Sequence, residues 1–277
     1  MTFPIVLAHG VCRFDQIWRD LLDMDNSDDE KKDQWHYFKG VRTMLMKKGY
    51  HVFHSNVSWA AGVEKRADDL LENLQNILEE TKKDKLNIIA HSMGGLDARH
   101  MMFNDRKKGK IHERIASLTT ISTPHWGSSF ADWGVKNLSR FLPIAEKLGL
   151  ELEAFKDLTV EACTRFNKEP EVRDFEHECE SNVVFQTYAG KQDFKAVFDV
   201  LKLSFYIIEK EEGENDGLVS VKSAKWKDRF FKGYFEQADH LNELGWWDIA
   251  QIWSKENDSD LLSRIHKIYA EIAEGLP

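Results

Sequence analysis

Apolar positions fall into short runs and helical stripes that alternate along the first half of the chain. Ile5 to Ala8 is an apolar run closed by His9 and Gly10, the pattern of a buried strand ending in a turn. Residues 36–48 carry Phe38, Val41, Leu45 and Met46 at helical spacing, with Gly49 at the position of a helix C-cap, and a second strand is predicted at Tyr50 to Phe53. From Val63 to Glu80 the residues Val63, Ala67, Leu70, Leu71, Leu74, Ile77 and Leu78 form one stripe with charges opposite, the clearest amphipathic helix of the chain. A third strand follows at Lys85 to Ala90, a helix at Gly95 to Phe103, and further strands at Ser117 to Ile121 and Val183 to Tyr188.

Strand and helix in alternation predict an α/β fold, a mostly parallel sheet with helices on its faces. The long gap before the last of these strands, about 130–180, reads as a helical lid or cap inserted over the sheet edge. Leu138, Phe141, Leu142, Ala145, Leu148, Leu150, Leu152 and Phe155 supply its apolar surface around Pro143 and Gly149. There is no internal repeat and no Gly/Ser-rich linker, so residues 1–277 are expected to form a single domain. The acidic stretch Asp23 to Asp33 has no periodicity. It lacks the Gly at its sixth position and the Glu at its twelfth that a calcium loop requires, so it is read as a solvated loop.

Composition adds exclusions. A chain of 277 residues with 42% hydrophobic residues and only 5 Pro is neither disordered nor collagen-like, and can bury a large core without metals or disulfides. The net charge of -9 argues against a nucleic-acid surface, which needs a basic face. No window approaches the roughly 18 apolar residues of a membrane span, and no export signal is visible at Met1 to Ala8. A cytoplasmic protein, or one exported by a signal-independent route, is expected, with the location itself left open. The three cysteines Cys12, Cys163 and Cys179 allow at most one internal bridge, Cys163 with Cys179, which a chain of this length does not need.

The sharpest chemical feature is Ala90-His91-Ser92-Met93-Gly94-Gly95, lying between a strand and a helix. A serine on so tight a turn projects its hydroxyl above the sheet, and the small residues two positions to either side relieve crowding; Ala90 stands where a glycine is usual. The competing reading is a serine that merely caps the next helix. A nucleophilic serine needs a base, and the base needs an orienting acid, following in the order acid then histidine. His240 and Asp216 fit, Asp216 in the Asn215-Asp216-Gly217 turn after the apolar run Leu203 to Ile208, which is read as a strand. Asp239 competes with Asp216, and spacing alone does not decide. The Met93 amide at a helix N-terminus and the Val11 amide after Gly10 are candidate oxyanion donors.

Taken together and in order, Pro4 to Gly10, Ala90 to Arg99, Ser122 to Ser128, Asn215 to Ser220 and Asp239 to Leu241 resemble the bacterial true lipases of the Pseudomonas, Burkholderia and Proteus type and their fungal relatives. Leu158 to Asn167 is similar to the helical segment after that family's lid. The resemblance implies an α/β-hydrolase fold and triacylglycerol lipase activity on lipid esters at a lipid–water interface. It further implies Ser92 as nucleophile, Asp216 as acid, His240 as base, an oxyanion hole from Val11 and Met93, a mobile lid within about 130–160, and structural roles for His9 and His91. Trp126, Phe130 and Trp133 would line an acyl-binding wall. No cofactor is expected. The family's structural calcium uses an Asp two residues after the histidine, where this chain has Asn242, and an earlier Asp for which Asp199 is only a loose match, so calcium is not expected either. The family's disulfide cysteine after the catalytic Asp is also missing from Ser220 to Ala224. Two other readings stand beside this one: an esterase or thioesterase of soluble substrates, and an inactive hydrolase fold that binds a partner.

Overall fold

The computed structural model describes residues 2–11, 30–59, 61–148, 152–248 and 258–277, of which 144–148 and 258–259 by their backbone alone. Cys12, the acidic stretch up to Asp29, Gly149 and Leu150, and the side chains of Ala145 and Leu148 lie outside the described residues. Among the described residues six strands form one sheet: β1 (Ile5–Ala8), β2 (Val52–His54), β3 (Leu86–His91), β4 (Ile115–Ile121), β5 (Val184–Lys191) and β6 (Phe231–Glu236). Their order is β2-β1-β3-β4-β5-β6 and every neighbouring pair is parallel. The helices of the described chain are α1 (Glu30–Asp33), α2 (Val41–Lys47), α3 (Val63–Thr81), α4 (Gly94–Asn104), α5 (Ser129–Lys136), α6 (Leu138–Leu148), α7 (Leu152–Asp157), α8 (Val160–Lys168), α9 (Pro170–Cys179), α10 (Lys202–Glu211), α11 (Val221–Ala224) and α12 (Asp258–Glu274).

The central strands are buried throughout because helices cover both faces, which is why they read as apolar runs rather than alternating patterns. Successive side chains still divide between the two cores. Val6, Ala8, Ile88 and Leu118 pack with Leu70, Leu74 and Ile77 of α3 and with Met101 of α4. Ile5, Leu7, Ile89 and Ile121 pack on the other face with Val41 and Leu45 of α2 and Ile265 and Tyr269 of α12. A third cluster sits above the strand ends, where Phe130, Phe141 and Phe155 of the inserted helices meet Val11, Met93 and Leu96.

The strand order places the site. β1 runs between β2 and β3, so the chain leaves β1 toward one side and β3 toward the other, and the crevice opens beyond their carboxyl ends. Val11 follows β1 there and Ser92 follows β3.

Several expectations change. The helix expected over 36–48 begins only at Val41, because Gly40 takes a left-handed conformation (φ 68°) that interrupts it; Phe38 is buried in the preceding turn and Met46 is exposed. Leu203 to Ile208 is not a strand. Phe205 and Ile208 are buried with Leu201 while Leu203 and Tyr206 face outward, the period of helix α10. The last strand is β6, an edge strand of mixed burial that the apolar pattern does not reveal. Asp33, at the end of the stretch read as solvated, is buried and accepts hydrogen bonds from the Thr43 amide at 2.8 Å and His54 Nε2 at 3.1 Å.

The inserted segment is helical, α5 to α9. Phe141 and Phe155 stack at 4.1 Å inside it, whereas Leu138 and Leu142 on the outer side of α6 are 42% and 55% exposed. Cys163 and Cys179 are free, buried thiols, and burial pushes both pKa values up to about 12.

Candidate active site

Ser92 sits at φ 57°, a left-handed conformation that costs a side-chain-bearing residue about 1–2 kcal/mol. Two local bonds hold it there: its amide donates to Ile121 O at 2.9 Å and its carbonyl accepts from Thr123 Oγ1 at 2.7 Å. The turn fits only because glycines surround it. A Cβ on Gly94 would stand 2.6 Å from Ala8 O, and one on Gly10 would stand 2.7 Å from Ser92 Cβ. Ala90 causes no crowding, since its methyl points into the core beneath α3 and α4.

Asp216 is anchored on both oxygens. Oδ1 accepts the amides of Leu218 and Val219 at 2.8 and 2.7 Å, in a turn made possible by Gly217 at φ 99°, and Oδ2 accepts from His240 Nδ1 at 2.7 Å. A backbone bond, His240 N to Asp216 O at 2.8 Å, ties the two residues again. With Nδ1 donating to the carboxylate, Nε2 carries the lone pair; it is buried and has no partner among the described residues. His240 and Ser92 line one cavity, with Phe130, Phe155, Leu158 and Leu218 as its apolar walls. Its free volume is about 30 Å³, the share of a single water, so the inserted helices cover it. A much larger groove of about 700 Å³, among Arg42, His51, Asn73 and Glu80, contains none of these groups.

Asp239 does not compete for His240. Its carboxylate caps its own loop, accepting from the amides of Phe198, Leu241 and Asn242 at 2.8–3.0 Å. Val11 and Met93 are both buried beside Ser92, Val11 in the cavity wall and Met93 at the N-cap of α4. Of the aromatic residues expected in an acyl wall, Phe130 lines the cavity. Trp133 packs behind it, and Trp126 turns away, its indole N–H donating to Trp226 O at 2.9 Å.

His9 and His91 touch the site's frame. His9 stacks on Trp59 at 4.0 Å, and His91 joins Tyr37 Oη at 2.8 Å to Glu243 Oε2 at 3.0 Å. Burial lowers both imidazole pKa values well below the ordinary one. Glu243 had no place in the sequence reading. It lies beneath Asp216, accepts from Ser122 Oγ at 2.7 Å, and burial followed by the Asp216 charge raises its pKa well above the usual carboxylate range. A carboxyl three residues after His240, between Leu241 and Leu244, is the only sequence signal for it.

The residues at the calcium positions do not assemble a donor set: Asn242 Oδ1 accepts from the Asp239 amide at 3.0 Å, and Asp199 pairs with Lys202 on the surface. His91, His240 and Glu243 offer ligand atoms within 4.8 Å of one another. Two of the three are already bonded to each other and the third to Asp216. Among the described residues no helix is long and apolar enough to cross a membrane.

A family model described as a PGAP1-like alpha/beta domain matches residues 63–187. Triacylglycerol lipase 2 of Saccharomyces cerevisiae is 32% identical over 291 residues, covering 91% of this chain and 83% of that protein. A triacylglycerol lipase of Pseudomonas fragi is 33% identical over 130 residues, 47% of this chain and 37% of its own. Among solved structures, the mature Bacillus licheniformis lipase BlEst2 superposes with a TM-score of 0.64 at 22% identity, covering 87% of this chain and 85% of that one. The Staphylococcus hyicus lipase does so with a TM-score of 0.60 at 18% identity, covering 98% and 95%. At these identities the two structures speak for the fold.

Proposed function

The chain belongs to the triacylglycerol lipases of the α/β-hydrolase superfamily and is a lipid ester hydrolase; from that premise we propose that it cleaves acylglycerols through an acyl-enzyme formed on Ser92. His240 Nε2 takes the Ser92 proton as Oγ attacks the ester carbonyl, and Asp216 holds the ring in the tautomer that allows this and stabilises the imidazolium. The Val11 and Met93 amides receive the developing oxyanion. His240 then returns the proton to the leaving alcohol, and in the second half activates water to release the fatty acid.

The single observation that carries the reading is the His240 Nδ1 to Asp216 bond of 2.7 Å, with a partnerless Nε2 buried beside a cavity shared with Ser92. The remaining elements follow from the cavity's small volume. Helices α5 to α7 act as a lid that withdraws at a lipid–water interface, to which Leu138 and Leu142 present their exposed side chains. No cofactor or metal enters the mechanism, and no nucleic-acid partner is proposed.

Two assays test the proposal. Ser92→Ala should abolish hydrolysis of p-nitrophenyl esters with melting behaviour retained, and wild-type activity should rise from acetate toward longer acyl chains and rise again on emulsified triacylglycerol. Turnover by pure Ser92→Ala protein refutes the serine assignment. A preference for acetate with no response to an interface, or for acyl-CoA, replaces the lipase reading with a soluble esterase or thioesterase.

A further inference from the structure

Among the described residues Arg66 heads the fully buried side chains by volume, and the proposed chemistry makes no use of it. It stands in the first turn of α3 and points under the site. Nε and Nη2 donate to the Asp97 carboxylate at 3.0 and 2.6 Å, Nη1 to Ser58 O at 2.8 Å, and Nη2 also to His9 O at 2.9 Å. Asp97 lies in the first turn of α4, the helix that Met93 caps. His9 lies two residues before Val11. One planar guanidinium therefore bonds both segments that carry the candidate oxyanion amides.

A buried ion pair is weak grounds for stability, since apolar residues of similar volume often replace such pairs without loss. What a guanidinium fork does supply is fixed geometry: several donors in one plane at set angles. The neighbouring contacts have the same effect. A Cβ on Gly94 would meet His9 O at 2.8 Å, so α4 and the loop after β1 approach without a side chain between them. The His9 ring is locked by its stack on Trp59 and by the bond from Nδ1 to Gly10 O at 2.8 Å. The loop is thus held at the His9 carbonyl from below and at the Gly10 carbonyl from the side.

We propose that Arg66, oriented by Asp97, is a positioning residue for ester hydrolysis, setting the separation of the Val11 and Met93 amides. The proposal rests on the reading of those two amides as the oxyanion hole. Its signature is a defect confined to the transition state: substrate binding is unchanged while the oxyanion is held less well.

Two variants test it. Arg66→Lys keeps the charge and loses the fork, and Arg66→Met/Asp97→Leu removes both charges together, which preserves folding if the single variant does not fold. Active sites are counted by titration with a p-nitrophenyl alkylphosphonate, and turnover is expressed per titrated site. Removing an oxyanion donor outright costs about 10²–10³ in rate, so loosening one should lower kcat by about 10- to 100-fold. KM should stay within about twofold, and the affinity for a trifluoromethyl ketone, whose adduct places an anion in the hole, should drop by the same factor as kcat. If both variants turn over at the wild-type rate per titrated site and only their melting temperatures fall, Arg66 is structural and the inference fails. If the wild-type protein itself does not react with the phosphonate, the serine mechanism fails instead, and the two failures are told apart.

Discussion

At most positions glycine is less stabilising than alanine by about 0.5–1 kcal/mol, because it loses more backbone freedom on folding. Position 92 should invert that order. Ser92 is held at φ 57° by bonds from its own amide and carbonyl, which remain when the side chain changes. Any Cβ there carries the left-handed penalty of about 1–2 kcal/mol, and glycine does not. Setting the ordinary preference against the strain leaves Ser92→Gly more stable than Ser92→Ala by up to about 1.5 kcal/mol, centred near 0.75. For a chain of this size that is a difference of roughly 1–3 °C in melting temperature, with glycine higher. Both variants lack the hydroxyl and both should be inactive, so the comparison isolates the backbone. Paired thermal melts and urea titrations of the two variants measure it. Alanine more stable than glycine by the ordinary margin would show that the turn at Ser92 is unstrained.

Two further outcomes are expected. His9, His54, His91 and His125 are buried with pKa values lowered by burial, so below about pH 6.5 the unfolded chain takes up protons that the folded chain refuses, each contributing at most about 1.4 kcal/mol of destabilisation per pH unit. Glu243 and Asp97, raised by burial, act in the opposite sense but are outnumbered, so the melting temperature should fall by several degrees from pH 7 to pH 5; a flat or rising profile contradicts these burials. Asp157 of α7 caps α3 by accepting the Val63 amide at 2.7 Å, joining the proposed lid to the body of the enzyme. Losing such a cap costs about 0.5–2 kcal/mol, so Asp157→Ala should populate the open lid about 2- to 30-fold more and raise hydrolysis of soluble p-nitrophenyl butyrate without an interface, whereas unchanged activity would mean the lid does not pivot there.

How far such features can be read from sequence depends on how local they are. The strand at Ile5 to Ala8 and the helix from Val63 were legible because burial on two faces and burial on one face leave different periods over a few residues. The Ser92 turn was legible because its requirement for small neighbours is written within five positions. Leu203 to Ile208 misled because a six-residue apolar run has no period of its own, and the flanking Leu201 had to be counted for the helix to emerge. β6 hid because an edge strand need not be apolar. Arg66 and Asp97, and Glu243 with His91, are pairs far apart in the chain, and nothing in either partner's neighbourhood announces the other. The same limit applied to the acid: spacing left Asp216 and Asp239 open, and hydrogen bonds, not positions, separate them.

In the proposed mechanism Ser92 becomes acylated with His240 as its base. Incubation with a fluorophosphonate probe, followed by peptide mass spectrometry, tests it directly. One adduct per chain is expected, located on Ser92, absent from Ser92→Ala and formed at least about a hundredfold more slowly in His240→Ala, since an unassisted serine hydroxyl is a poor nucleophile. An adduct on another residue, or labelling of Ser92 at the wild-type rate without His240, would contradict it.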